Sequence, residues 1–267
     1  KMDAIRIKRT ICLISSIVVP VISWDFYAKR LRDDYTKSLD TLEFTPASTD
    51  QQLMNTLKTG DVVLFDRKPS TMRPLGALIS VLTKALTNCS FDHCGVVITD
   101  NFGTPHLLEL TYSGAKLRRF DHRISLSMAR EILLVPVGLR NSRNGIVTHE
   151  HLENVALMKA RATVKLWERK STEMPSLAWL QLEGLVTLLF SNMLNQKKEP
   201  EHDAINKIIQ QPQTLVVSEV LLSLDALKSK RPDTLKTKLL IGSLLNQTLE
   251  LDSKFHYGRI MPIRIQD

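Results

Sequence analysis

Cysteine is scarce in this chain, with Cys12, Cys89 and Cys94 the only three in 267 residues. A small, odd number excludes a disulfide framework. His93 lies between Cys89 and Cys94, but no further ligands at recognisable spacing accompany them, so no zinc site and no other metal or cofactor is expected. Aromatic residues are also few, at 6%, and no run of Lys and Arg extends past two or three residues. Without basic tracts interleaved with aromatics, no nucleic-acid surface is expected. The net charge of +8 therefore calls for other acidic partners, an anionic membrane or acidic protein subunits. Internal repeats and low-complexity tracts are absent as well. What is present is a 43% apolar share, enough for a buried core in one large domain or two small ones.

Long apolar runs are missing except at residues 11–24, ICLISSIVVPVISW. Arg6, Lys8 and Arg9 precede this run, and Lys29, Arg30 and Arg32 follow it. The 19 residues between Arg9 and Lys29 carry one charge, Asp25. A bilayer span needs about 20 mostly apolar residues. Trp24 and Tyr27 fall where interfacial aromatics sit, and Pro20 is tolerable inside a span. A cleaved signal peptide is the rival reading, but no small-x-small site follows the run. A buried or interfacial helix is the other rival, because the clean run is only 14 residues. The expectation is a single membrane anchor over residues 1–30, with nearly matched charge on its two flanks and hence no set orientation.

Residues 31–56 read as a partly helical linker, broken at PASTD. From residue 57 the pattern is strand-like. GDVVLFD (60–66) is an apolar run behind a Gly-Asp turn. GALISVLTKAL (76–86) is helical, with Leu75, Leu78, Ile79, Leu82 and Leu86 on one face. HCGVVIT (93–99) and HLLELTY (106–112) are strands joined by a turn-rich loop, and EILLVPV (131–137) is another. Helices are expected over 149–170, 176–194 and 214–229, then a closing strand over 258–265. Gln181 and Glu183 interrupt the apolar run of 176–194, so that segment reads as a packed or partner-facing helix rather than a second span. The order of elements predicts an α+β domain on an antiparallel sheet.

Neighbouring strand residues point to opposite faces, so His93 and Cys94 cannot act as a pair, and Cys94 reads as a buried thiol. A hairpin centred near Phe102 pairs positions that sum to about 204 and sets Glu109 diagonal to His93 on one face. Diagonal neighbours lie about 7–8 Å apart, within reach of long side chains. A carboxylate there would fix the imidazole tautomer. The alternative is a polar pair on the solvent side of the sheet.

The run LKTGDVVLFDR, FDHCGVVITD and HLLELTYSGAKLRRF resembles the permuted branch of the NlpC-type papain-like superfamily, which includes the YiiX-like and lecithin retinol acyltransferase-like proteins. The resemblance runs from about Leu57 to the end, interrupted over about 140–210. It implies a papain-like domain at 57–267 with a helical insertion there. It also implies that His93 stands in the place of the catalytic histidine, Glu109 in that of its orienting residue, and LVVSEV in that of a helix opening with Cys-Ser-Glu. Ser218 and Glu219 match the Ser-Glu, while Val217 holds the cysteine position. Valine has no nucleophilic atom, so the thiolate chemistry of the family is not expected. Ser218 is rotated by about 100° along a helix, and its ordinary role is an N-terminal hydroxyl.

The expected function is therefore that of a pseudoenzyme. It would be an accessory or structural subunit of a membrane-bound complex, its partners other subunits and membrane lipid, with a mitochondrial inner-membrane assembly suited to its basic charge. Trp179, Leu185 and Phe190 would be available to a partner. The alternatives are a hydrolase or acyltransferase acting on amides or esters through Ser218, Cys89 or Cys94, and a lipid- or peptide-binding module whose cleft valine has made more apolar.

Overall fold

The computed structural model describes residues 2–111 and 114–139, residues 154, 155, 157–162, 164 and 165, residues 217, 220, 221, 241–247 and 251, and residues 255–265. The chain begins with a helix, α1 (Met2–Lys37), and a shorter one, α2 (Thr49–Thr56). Strand β1 (Val62–Arg67), helix α3 (Pro74–Thr87) and the strands β2 (His93–Thr99), β3 (Pro105–Thr111) and β4 (Gly114–Arg119) follow. Then come α4 (Phe120–Ser125), β5 (Ala129–Val135), β6 (Val137–Leu139), α5 (Ile241–Leu245), β7 (Phe255–Tyr257) and β8 (Met261–Ile265). Six strands form one sheet in the order β4-β3-β2-β1-β5-β8, and every neighbouring pair is antiparallel. Strands β6 and β7 make a separate pair. The α+β class on an antiparallel sheet is as expected.

The Gly-Asp turn before β1 has a physical basis. Gly60 adopts φ 101°, a left-handed conformation that glycine tolerates. The buried Asp61 carboxylate accepts from the Lys58 and Val137 backbone N–H groups, both at 2.9 Å, and so joins the turn to the start of β6. Val62 to Phe65 are then fully buried, as a central strand covered on both faces requires. The β2–β3 hairpin has the expected register, with Gly95 opposite Glu109 and Val96 opposite Leu108. Asp100 fixes its turn, its Oδ1 accepting from Phe102 and Thr104 N–H at 2.9 and 2.8 Å.

Alternation sorts the core into two layers. Val62, Leu64, Cys94, Val96, Ile98, Leu108 and Leu110 share one cluster with Val217, Val220, Leu221, Ile241 and Leu244. Val63, Phe65, Val97, Leu107, Ile132 and Leu134 share the other with Met54 and Leu57, and with Phe120 and Ile124 of α4.

Several boundaries differ from expectation. The segment 131–137 is not one strand: Pro136 lacks the N–H a ladder needs, so β5 stops at Val135 and β6 pairs elsewhere. Strand β4, an edge rich in Lys and Arg, was not expected. In α3, Leu78 is 46% exposed although it belongs to the predicted apolar face. Ile79 of that face is buried, but so are Ala77, Ser80 and Thr83 beside it, and Lys84 pairs with Asp66 of β1. Helix α1 runs unbroken past Pro20 and across the expected boundary at residue 30. Among the described residues no helix is long and apolar enough to cross a membrane. The expected helix 176–194, with Trp179, Leu185 and Phe190, lies outside the described residues, as do most of 149–170 and 214–229.

Candidate functional site

His93 opens β2 and Glu109 lies near the end of β3, on the same face of the sheet. Glycine at 95 lets β3 press close: a Cβ there would meet Leu107 side-chain atoms at 3.0 Å and the Leu108 carbonyl oxygen at 3.1 Å. Across this contact His93 Nε2 and Glu109 Oε2 are 2.8 Å apart. The side chains are 3% and 1% exposed, so the pair is not on the solvent side of the sheet.

Burying a carboxylate requires compensating charge. Arg123 supplies it from α4, donating from Nε to Glu109 Oε1 at 2.7 Å, while Arg118 of β4 approaches the same oxygen at 3.6 Å. The Arg123 guanidinium also lies 4.6 Å above the Phe65 ring, which in turn packs against the His93 ring at 5.5 Å. Burial alone would raise the Glu109 pKa. The Arg123 charge and the His93 contact outweigh it and hold the carboxyl well below the usual range. Burial, reinforced by the Arg67 charge, holds His93 below its ordinary value, against the opposing pull of Glu109. An ionised Glu109 can only accept, so the Nε2 proton belongs to a neutral imidazole, and Nδ1 carries the lone pair. That buried Nδ1 has no hydrogen-bond partner among the described residues.

A second ion network adjoins the first. Asp92 takes Arg67 Nε and the Arg67 backbone N–H, both at 2.9 Å, while Lys84 bonds Asp66 and, at 2.8 Å, the Arg67 carbonyl. Burial would raise the Asp92 pKa, but Arg67 pulls it below normal. Among the described residues no three His, Cys, Asp or Glu side chains group so as to hold a metal ion.

The structure brings His93 and Glu109 together and does not bring Val217 to them. Val217 is helical, fully buried, and belongs to the core cluster of Cys94, whose side chain points to the opposite face from His93. Burial pushes the Cys94 thiol up to about 12, so it stays protonated. Cys89 is partly buried against that same cluster. Ser218 lies outside the described residues. The arrangement thus contains an oriented, buried base nitrogen with no proton donor or nucleophile beside it among the described residues. Sequence reasoning missed Arg123. The signal available was the burial of Glu109, which demands a cation, among Arg118, Arg119 and Arg123 a few residues downstream.

No protein-family model matches the chain, and no curated protein sequence matches it.

Proposed function

We propose that this chain is a non-catalytic, papain-like accessory subunit of a membrane-bound protein complex, attached through α1, with the mitochondrial inner membrane as its favoured location. The observation that carries this reading is the state of His93: buried, locked to Glu109 through Nε2, and, among the described residues, without a partner at Nδ1. A general base must reach the proton it removes, at about 2.6–3.2 Å or through one water. Val217, in the sequence position of the family nucleophile, has nothing to ionise and packs with the other core layer. Residue types that in a hydrolase would perform chemistry here serve as a buried structural tie. Membrane attachment is supported by the apolar run 11–24 and by the exposure of Val18, Val19, Ile22, Trp24, Phe26 and Tyr27 along α1. The +8 charge suits an anionic surface or acidic subunits.

The test is purification of the tagged chain from its native membranes in mild detergent, combined with thiol- and serine-directed activity probes. Stable co-migrating proteins and no labelling are expected. A monodisperse monomer without partners would remove the subunit reading. Labelling that disappears in His93→Ala would restore the hydrolase or acyltransferase alternative.

A further inference from the structure

Three guanidinium groups from separate parts of the chain converge on one cavity of about 210 Å³. Arg32 comes from α1, Arg67 from the end of β1 and Arg123 from α4. The remaining walls include Thr71, Met72 and the loop between α4 and β5, and among the described residues no acidic one lines the space.

Convergence of like charges costs free energy unless an anion sits among them. Existing ion pairs account for only part of this cluster. Asp92 holds Arg67, and Glu109 takes Nε of Arg123. Arg32 pairs with no carboxylate among the described residues and donates only to the Thr71 carbonyl. Arg67 is also aimed by a local irregularity. The ladder between β1 and β5 passes from Asp66↔Glu131 to Arg67↔Ala129, a bulge that skips Arg130. Bulges of this kind re-aim a side chain.

We propose that this cavity binds one phosphate-type anion, held by Arg32, Arg67 and Arg123. Planar guanidinium forks match phosphate oxygens with two-point hydrogen bonds. At a water's liquid share of about 30 Å³, the space admits a tetrahedral oxyanion with room for an ester substituent. An apolar cavity of about 680 Å³ lies further along the same flank of α1, lined by Val21, Ile22, Phe26, Pro74 and Leu75. Asp25 and Lys29 line that cavity and Arg32 and Thr36 line the arginine cavity, at i, i+4, i+7 and i+11, one stripe of a helix. The phosphate-type group therefore has two available sources, a free anion or the headgroup of a lipid whose chain follows that stripe.

The test measures calorimetric binding of inorganic phosphate by the full chain, and flotation with phosphatidylcholine vesicles with and without phosphatidic acid. Three variants sort the result. Arg32→Gln removes a cavity cation. Arg30→Gln makes the same charge change on an exposed neighbour that pairs with Asp34. Leu126→Glu places a carboxylate at the cavity wall from an exposed position, without touching α1. Saturable binding should weaken about tenfold in Arg32→Gln, disappear in Leu126→Glu and persist in Arg30→Gln. Binding of inorganic phosphate without vesicle binding assigns a free anion. Vesicle binding that needs phosphatidic acid and follows the same variant order assigns a headgroup. The proposal is overturned if neither probe binds saturably, or if Arg30→Gln weakens binding as much as Arg32→Gln.

Discussion

The two faces of the central sheet are closed by opposite means. On the Cys94 face the described cluster is apolar, with Val217, Leu221 and Leu244 packed in the same layer. On the His93 face an imidazole and a carboxylate are buried within a layer of Phe65, Leu107 and Phe120, and a partly exposed guanidinium closes over them. Both faces come from the same strands, read at alternate residues, so a slip of one residue would exchange them. The apolar face tolerates loss by degrees. The ionic face is conditional, because each charge is acceptable only while its partner remains.

This contrast breaks most sharply at Glu109. Glu109→Ala leaves the buried His93 and the largely covered Arg123 without their anion and should cost about 3 kcal/mol in denaturant unfolding, the low end of the range for removing one member of a buried pair. On the opposite face Leu64→Ala, at a fully buried position, should cost about 3 kcal/mol through the cavity it leaves. That loss should be the same at every pH, whereas the ionic face should respond to acid.

The direction of that response follows from the shifted groups. His93 has a folded pKa below its ordinary 6.5, so the unfolded chain takes up its proton first as pH falls. Stability should decline below about that value. Glu109, depressed from 4.5, adds a second loss below that pH. Thermal midpoints across this range should show both stages in the natural chain, and His93→Gln should flatten the upper one. The smallest effect belongs to Val217→Cys. A thiol placed there should cost less than about 1.5 kcal/mol, as near-isosteric core changes do. It should also gain no labelling by a thiol-directed activity probe, because it packs beside Cys94 and away from His93. Labelling that depends on His93 would break the comparison.

Local chemistry was legible in the residues; long-range packing was not. Alternation along 93–99 and the turn chemistry at Asp100 and Gly103 were enough to pair β2 with β3 and to put Glu109 beside His93. The register depends on a two-residue period and a short loop, both written into neighbouring positions. The face covered by Val217 depends on the path of a distant segment, which no local pattern encodes. Arg123 escaped notice for a similar reason, because the short α4 carries no periodicity long enough to read. In α3 the apolar stripe pointed to Leu78. The ion pairs of Lys84 with Asp66 and Asp92 accompany a different rotation of the helix, one that spacing alone does not disclose.

Helix α1 carries a mechanical consequence. Its 36 residues span about 54 Å as one rod. Trp24 bonds the Met72 carbonyl, Arg32 the Thr71 carbonyl and Tyr35 the Ser125 carbonyl, so three bolts fasten its C-terminal half to the domain. A slack tether would absorb displacement, whereas this spar passes tilt or torque at its N-terminal end directly to the turn and loop that wall the arginine cavity. Pro20 is its one softened joint, lacking a single backbone donor.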